Sequence, residues 1–563
     1  MDELEIYLLI FLCVAVFFAF QSRAYKKNKK QRIAKLLKED WGAYPKREYK
    51  GVEFQKIRKY YDGLELGAYS RVDDITWNDM GMDSVFKSMN HTWSSIGEDC
   101  LYGRLRKMDY SDDELEEFDR LVSYMEENPE TAWSLQEHYI EMGRTKSVCI
   151  YDFIRKLSEL SGRKNTKHIA MALGLLIAIG VIFIEPIAGV AATIAMVVIN
   201  VMQYYRTKAE IENYFVCFAY IVRMIACSKN IGKIQCAANR KQTDEINHIY
   251  DNVKGMTKGV FLVSGNNMSG SLSEIVMEYL RMLFHVDIMK FNSMLRLVHD
   301  NTDEICRMYE LLGMLESACA VASYRTYLKN SYGCYSKPVF VNDRTVKGDM
   351  LYHPLIAKPV ANSIDESGCV LLTGSNASGK STFLKTIGIN AILGQTIYTC
   401  TGQAFVMARR KVYSSMSLKD DLENNESYYM VEIKALKRII DAAMSGERLI
   451  CFVDEVLRGT NTVERVSAST EILKSFADTD CCDVVSFAAT HDIELTHLLE
   501  EWYANYHFEE EVVEEDVLFN YKLNKGRATS RNAIQLLKVM GYDEKIISAA
   551  RQRADRFTQT GQY

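Results

Sequence analysis

The chain has 563 residues, of which 48% are hydrophobic and 25% charged, and its formal net charge is −6. This length and composition allow several domains with large cores and exclude a chain that is disordered throughout. The net charge gives no support to a strongly basic nucleic-acid binder. The 14 cysteines are scattered without metal-ligand spacing, which favours reduced, buried thiols.

An apolar run from Tyr7 to Phe20 lies near the start of the chain. It is short for a membrane span and has the length of the apolar region of a signal peptide, but no small-residue cleavage site follows it. The basic stretch from Arg23 to Arg32 instead predicts an uncleaved transmembrane anchor over 1–21 with its carboxyl-terminal side in the cytoplasm. A cleaved signal peptide is the alternative. Residues 22–73 are predicted to be a basic cytoplasmic linker.

Residues 74–167 are polar with helical periodicity and predict the first part of an all-α core. Ser111 and Glu114 have the spacing of a capping box, which predicts a helix start there. The next segment, 168–205, is apolar and divides at Glu185-Pro186 into two halves, each about the minimum length for a bilayer. Lys164 with Lys167 and Arg206 with Lys208 flank it, so we expect a transmembrane hairpin with both ends cytoplasmic. A buried hairpin of a soluble protein is the alternative.

Residues 206–340 are helical again and predict the second part of the helical core, or lever, with long helices over Ser271–Val298 and Asp303–Asn330. From 341 to 563 the pattern changes to α/β. Apolar runs at 369–373, 449–453 and 484–489 alternate with helical segments, as in a mostly parallel sheet. Asp516–Leu523 alternates like an exposed or antiparallel strand. The acidic stretch from Glu509 to Asp516 is predicted to be a solvated turn.

A phosphate-binding loop follows the first of these strands and precedes a helix. Its sequence, GSNASGKST, fits the pattern G-x-x-x-x-G-K-[ST], in which backbone N–H groups and the helix N-terminus face an anion. Lys380 can reach the β- and γ-phosphates of ATP, and the Ser381 hydroxyl can ligate Mg²⁺. The residues predicted to bind the nucleotide here are Gly374, Ser375, Asn376, Ala377, Ser378, Gly379, Lys380, Ser381 and Thr382.

Two further strand ends carry side chains that could take part in ATP hydrolysis. Asp454 and Glu455 follow a buried strand about 75 residues after the loop, as in a Walker B motif. Asp454 can hold Mg²⁺, and Glu455 can polarise the attacking water as general base. His491 ends the third strand, where it can contact a γ-phosphate or orient water. We therefore predict Glu455, His491 and Lys380 as the catalytic residues and Ser381 and Asp454 as the metal ligands.

The segment from His353-Pro354 to the carboxyl terminus resembles the ATPase domain of the MutS family of DNA mismatch-repair proteins. Upstream, Trp77 to Arg106 and Leu311 to Pro338 resemble the start and end of the family's helical core, and Gly541 to Arg553 resembles its terminal helix-turn-helix. The other matching pieces are the phosphate loop, Ser427-Tyr-Tyr-Met-Val-Glu432, Asp454-Glu455-Val-Leu-Arg-Gly-Thr-Asn461, Ala489-Thr490-His491 and Gly526-Arg-Ala-Thr-Ser530.

The resemblance implies an ABC-type P-loop ATPase that hydrolyses ATP as a homodimer and binds DNA. It also implies roles for single residues. Ser427 would complete the partner's site at its γ-phosphate, and Arg458 to Asn461 would link the two sites across the interface. Tyr521 would lie beside the adenine, and Gln395 would orient water.

The chain departs from the family pattern in several places. No segment before the helical core resembles the mismatch-reading domain, the loop has Ser375-Asn-Ala-Ser378 in place of the usual Pro-Asn-Met-Gly, and Leu457 stands where a Gly is usual. Two apolar regions suggest a membrane-attached branch. We therefore expect a multi-pass cell-membrane protein with a cytoplasmic ATPase domain that couples ATP hydrolysis to DNA binding. The alternative is an ATP-driven machine that acts on the membrane or on a protein partner without recognising mismatches. A transporter is disfavoured because no LSGGQ stretch occurs.

Overall fold

The computed structural model describes residues 20–21, 24–25, 27–64, 71–145, 148–157, 164–257, 272–375, 378–416, 428–458, 460–479, 482–513, 516–528, 534, 537 and 541–560. The predicted anchor over 1–21 lies almost wholly outside these residues. The chain divides into two compact units. The first takes the described residues of 1–65, 90–103 and 120–323, and the second takes those of 66–89, 104–119 and 324–563.

Helices make up nearly all of the regular structure before residue 338. They follow residues 27–40, which are also helical. In chain order they are α1 (Gly51–Gly63), α2 (Asp74–Asp79), α3 (Met82–Met89), α4 (Ser95–Arg106), α5 (Asp112–Glu127), α6 (Pro129–Met142), α7 (Ile150–Leu157), α8 (Thr166–Val181), α9 (Pro186–Ile231), α10 (Arg240–Val253), α11 (Leu272–Phe284), α12 (Val286–Asp300) and α13 (Thr302–Tyr332), with a 3₁₀ turn at Lys254–Thr257.

Local signals account for several of these helix boundaries. The Ser111 hydroxyl accepts a hydrogen bond from the Glu114 N–H at 3.2 Å, and the Glu114 carboxylate accepts one from the Ser111 N–H at 2.8 Å, so the predicted capping box is present at the start of α5. The predicted helix Asp303–Asn330 is confirmed as α13. The predicted helical stretch Ser271–Val298 forms two helices, α11 and α12, because the helix is broken at His285, whose φ is +53°.

The apolar region forms the antiparallel hairpin of α8 and α9 and turns just before Pro186, as its Glu185-Pro186 break predicts. A side chain at Gly189 would come within 2.3 Å of the Ile182 backbone nitrogen, so glycine lets α9 approach the turn closely. Residues 186–211 of α9 are long and apolar enough to cross a membrane, whereas α8 is apolar but shorter. Large apolar side chains are exposed along both helices, most of all at the turn, where Phe183 and Ile184 are 86% and 83% exposed.

The second unit contains two sheets. The larger one has the strand order β10-β9-β4-β8-β7-β6 and is parallel except for β10 at its edge, which confirms the prediction of a mostly parallel sheet. A smaller sheet with the order β1-β5-β2-β3 was not predicted. The strands are β1 (Pro338–Val341), β2 (Thr345–Leu351), β3 (Asn362–Ser367), β4 (Cys369–Thr373), β5 (Ala404–Ala408), β6 (Lys411–Ser415), β7 (Leu449–Asp454), β8 (Val484–Thr490), β9 (Tyr503–Val513) and β10 (Asp516–Lys525).

The helices of the second half accompany the larger sheet. They are α14 (Lys380–Ile397), α15 (Tyr428–Met444), α16 (Thr462–Ala477), α17 (Ile493–Leu498) and α18 (Glu544–Thr560). The strands β4, β7 and β8 are buried at every residue, as the apolar runs predict. The predicted turn over Glu509–Asp516 is too long, because β9 continues to Val513 and β10 begins at Asp516. Pairing with β10 satisfies the backbone of this acidic stretch, so its charges do not end the strand.

Candidate nucleotide-binding site

The phosphate-binding loop connects β4 to α14. Gly374 and Gly379, near its two ends, have φ values of +145° and +112°, in a region that favours glycine. A side chain at Gly374 would come within 2.9 Å of both the Phe508 carbonyl oxygen and the Ser378 hydroxyl. The loop therefore depends on glycine for its shape, and its end forms the N-terminus of a helix, which favours anions. Asn376 and Ala377 lie outside the described residues.

Lys380 is the first residue of α14, and its side chain is 5% exposed. Its Nζ donates hydrogen bonds to the carbonyl oxygens of Gly374 at 2.7 Å and Ser375 at 2.8 Å, and lies 3.3 Å from His491 Nε2. The ammonium group is thus held across the mouth of the loop and beside the end of β8. This position suits a cation that neutralises a bound phosphate.

Among the buried polar atoms that have no hydrogen-bond partner in the described part of the chain, two lie at this site. They are Ser378 Oγ in the loop and Asp454 Oδ1 at the end of β7. The other carboxylate oxygen, Asp454 Oδ2, accepts a hydrogen bond from Ser381 Oγ at 2.5 Å. Because buried polar groups are nearly always paired, these two oxygens beside the loop are available to a ligand. A phosphate beside Ser378 and a magnesium ion beside Asp454 and Ser381 fit this donor set.

Glu455 follows β7 directly and is fixed by its backbone, because its N–H donates to the Ala489 carbonyl of β8 at 2.9 Å. Its carboxylate forms an ion pair with Arg458 and lies 2.8 Å from His491 Nε2. Burial raises the pKa of the Glu455 carboxyl, but the hydrogen bonds and charges of His491 and Arg458 outweigh it and lower that pKa below its ordinary value. Glu455 is therefore ionised at neutral pH and able to accept a proton.

The His491 ring connects the loop to this carboxylate. The same nitrogen, Nε2, faces both the Glu455 carboxylate and the Lys380 ammonium. A ring nitrogen donates when protonated and accepts when not, so Nε2 can donate to Glu455 or accept from Lys380, but it cannot do both at once. The position of one proton on His491 thus decides which of the two groups it orients.

The turn after β7 is conformationally strained. Glu455 and Leu457 both have φ values of +59°, which side chains other than glycine disfavour. The Leu457 N–H donates to the carboxylate of Glu432, which lies 2% exposed on α15. Burial raises the pKa of the Glu432 carboxyl, and the hydrogen bond from Leu457 opposes this rise. Leu457 therefore keeps the backbone shape expected of the family's glycine, and Glu432 stabilises it.

A cavity of about 510 Å³ opens over the loop. Of the predicted residues, it is lined by Ser375, Ser378, Gly379, Lys380, Ser381, Thr382, Glu455 and Tyr521. Asp454 and His491 do not line it but contact residues that do. Gln395 lies elsewhere: its carboxamide is buried and bonds to the backbone of Ala391 and Arg410. Ser427 lies outside the described residues.

The other wall of the cavity was not predicted. It comes mainly from the chain before the loop and also from β9 and α14, namely Leu351, His353, Ile356, Lys358, Pro359, Val360, Asn362, Phe508, Phe383 and Thr386. Arg458, predicted to link two sites across an interface, also lines the cavity. Burial, assisted by the charge of Lys385, lowers the pKa of the His353 imidazole to about 4, so the ring is neutral at physiological pH. No spacing rule points to the residues between Leu351 and Asn362, because they reach the loop through the pairing of β2 and β3 in the smaller sheet.

A glycine-bounded loop between a buried strand and a helix, with carboxylates at a neighbouring strand end, defines a nucleotide-binding domain of the phosphate-loop class. Residues 370–558 match the family model of MutS domain V. The carboxyl-terminal part of the chain therefore matches MutS domain V, and the predicted resemblance to the MutS family is confirmed.

The curated relatives include MutS protein homolog 4 of Homo sapiens, which is 27% identical over 51% of this chain and 31% of its own length. The DNA mismatch repair protein MutS of Thermotoga sp. strain RQ2 is 28% identical over 47% of this chain and 33% of its own length. The DNA mismatch repair protein MutS of Clostridium botulinum is 24% identical over 48% of this chain and 30% of its own length. The chain thus spans about a third of the length of these relatives.

Lys380→Ala is expected to weaken binding of magnesium ATP about ten- to a hundredfold, because a charge-assisted hydrogen bond contributes about 1.5–3 kcal/mol. Isothermal titration calorimetry of the purified protein measures the change. Lys437→Ala, at an exposed lysine on α15 outside the cavity lining, is the matched control. Equal affinity in the Lys380 variant and the parent would contradict the assignment of the loop.

Proposed function

We propose that this chain binds ATP with Mg²⁺ and hydrolyses it to ADP and phosphate. The observation that carries the proposal is the convergence of Lys380, the Ser381–Asp454 pair and the Glu455–His491 pair on one edge of one sheet. These are the groups that phosphoryl transfer to water requires: a cation for the phosphates, ligands for the metal and a base for the water.

Each residue has a role that its present contacts support. Lys380 exchanges the loop carbonyls for the phosphate oxygens. Ser381 and Asp454 are the residues that would hold magnesium, and a bound magnesium ion would supply positive charge to the transferred phosphoryl group. Glu455 accepts the proton of the attacking water because its carboxylate is ionised, and His491 orients that carboxylate.

We further propose that two copies of the chain form a dimer and that nucleotide turnover is coupled to DNA binding. The relatives named DNA mismatch repair protein MutS support this extension. Within such a dimer, Ser427 of one copy completes the site of the other, and Arg458 to Asn461 connect the two sites.

A second candidate is an ATP-driven machine that acts on the membrane or on a protein partner. The net charge of −6 favours it, because DNA affinity relies on positive charge that neutralises phosphates. The exposed apolar hairpin of α8 and α9 also favours it, because this feature has no role in reading DNA.

We also propose that the hairpin crosses the cell membrane and that the ATPase domain is cytoplasmic. The apolar part of α9 has 26 residues, about 39 Å of helix, which exceeds the hydrocarbon core of about 30 Å. At the turn, Phe183, Ile184 and Ile187 are more than 80% exposed. The exposed cations Lys164, Lys167 and Arg206 lie at the opposite end of the hairpin, which agrees with the rule that cytoplasmic flanks are basic. The predicted anchor over 1–21 has the same orientation.

Glu455→Gln is expected to keep ATP affinity within about twofold and to lower kcat about a hundredfold or more, because a general base contributes about 10²–10⁴ to the rate. Phosphate release under steady-state conditions, together with calorimetry, measures both quantities. Glu464→Gln, an exposed glutamate on α16, provides the same chemical change outside the cavity. Normal turnover in the Glu455 variant would remove it as the base.

The DNA proposal predicts binding whose affinity falls steeply with salt, with a slope of log K against log salt of about −0.9 for each phosphate contacted. Detergent-purified full-length protein is titrated with mismatched, branched and perfect duplexes, with and without ATP. The Lys380→Ala variant, in which nucleotide binding is weakened, shows whether the affinity for DNA depends on bound nucleotide. Absent binding, or affinity insensitive to salt, would favour the machine without DNA.

The membrane proposal predicts that a cysteine placed at Glu185 is labelled by an impermeant maleimide added to intact cells. Ser475→Cys, at an exposed position on α16 in the ATPase domain, should be labelled only after the membrane is opened. Labelling of the parent chain measures the signal from its native cysteines, which is subtracted. Labelling of both positions only in opened cells would show that the hairpin does not cross.

A further inference from the structure

The strand β10 carries a bulge beside the nucleotide cavity. Phe519 pairs with Glu510 of β9, but Leu523 pairs with Phe508, so four steps along β10 correspond to two along β9. The extra residues leave the ladder, and at the centre of the bulge Tyr521 has a φ of +54°. A tyrosine in this region is strained and persists only where its surroundings hold it.

The side chain of Asn362 provides those surroundings. Its Nδ2 donates to the Tyr521 carbonyl oxygen at 2.9 Å, and its Oδ1 accepts from the Leu523 N–H at 2.8 Å. Nδ2 also lies 3.4 Å from the Val360 carbonyl. One carboxamide thus supplies the donor and the acceptor that the bulge cannot obtain from β9. Because Asn362 begins β3, this pair of bonds joins the smaller sheet to the edge of the larger one.

The bulge presents the Tyr521 ring to the cavity. The ring stacks on Phe519, with centroids 6.0 Å apart and an angle of 27° between the planes. A side chain added to Gly379 would lie 3.4 Å from Tyr521 Cδ1 and 3.7 Å from Phe508, so both aromatic rings border the loop. The Tyr521 side chain is 44% exposed, which leaves ring surface available to a flat ligand.

We propose that Asn362 is a positioning residue for the base of the nucleotide: its two bonds hold the β10 bulge so that Tyr521 forms the wall on which the base stacks. The inference rests on the proposed ATP site and adds to it the residue that sets the affinity for the nucleoside part. Asn362 acts through Tyr521, because both polar atoms of its side chain are bonded to the bulge. Its loss therefore affects ATP and a bare triphosphate differently.

The chemistry of the carboxamide makes the proposal specific. Asn362→Leu removes donor and acceptor at similar size. Asn362→Asp keeps the acceptor for the Leu523 N–H but turns a carboxylate oxygen towards the Tyr521 carbonyl, where two acceptors repel. Both variants should release the bulge.

The experiment compares two probes on the full-length protein by calorimetry: magnesium ATP and magnesium tripolyphosphate, which lacks the nucleoside. We expect Asn362→Leu and Asn362→Asp each to raise the Kd for ATP about tenfold and to leave the Kd for tripolyphosphate unchanged, as the net loss of one or two hydrogen bonds implies. The kcat at saturating ATP stays within about twofold while KM rises. Asn524→Leu, on the same strand but outside the cavity lining, is the control.

A double variant makes the test stricter. If Asn362 works through Tyr521, then Asn362→Leu in a Tyr521→Ala background weakens ATP binding no further. Equal loss of affinity for both probes would overturn the proposal, because Asn362 would then support the loop or the fold. Unchanged ATP affinity would overturn it as well. A parent protein that binds neither probe would instead overturn the proposed nucleotide site itself.

Discussion

The site depends on the parallel register of β4, β8 and β7. Thr373 at the end of β4 is paired with Thr490 of β8, and Asp454 at the end of β7 is paired with Ala489 of the same strand. The three ends therefore lie within one residue of each other along the sheet. The loop, the carboxylates and the histidine follow these strand ends and therefore lie side by side at one edge of the sheet. A slip of one residue in either pairing would reverse which face each side chain occupies and separate the groups.

Burial on both faces is what holds this register. Every residue of β4, β7 and β8 is buried, so each strand has apolar contacts on both sides that a shift would break. The loops after the strands, in contrast, are strained. Glu455 and Leu457 have φ values of +59°, and left-handed backbone costs about 1–2 kcal/mol for a residue with a side chain. Two hydrogen bonds stabilise the turn against this strain: the Glu455 N–H donates to the Ala489 carbonyl, and the Leu457 N–H donates to the Glu432 carboxylate.

The parts of the molecule that were predictable from sequence are those in which local pattern and chemistry coincide. The phosphate loop, the strands that end at Thr373, Asp454 and Thr490, and the helix start at Ser111 all depend on residues close together in the chain. The smaller sheet and the wall from His353 to Asn362 could not be predicted, since they depend on pairings between distant segments. The break at His285 was missed because apolar periodicity continues across it and a single left-handed residue leaves no pattern.

The resting contacts of the site also bear on how tightly a nucleotide can bind. Lys380 bonds to two loop carbonyls, Ser381 bonds to Asp454, and Arg458 is paired with Glu455. When a ligand binds to these groups, new bonds form between ligand and protein, but the bonds that the groups make to each other are lost. The affinity is therefore the difference in free energy between two states in which these groups are hydrogen-bonded. Ser378 Oγ and Asp454 Oδ1, which have no partner in the described chain, are the exceptions. Their bonds to a phosphate and to magnesium replace nothing. These two oxygens and the base wall therefore add to the affinity without giving up a bond, whereas Lys380 adds the difference between its bonds to charged phosphate oxygens and its bonds to neutral loop carbonyls.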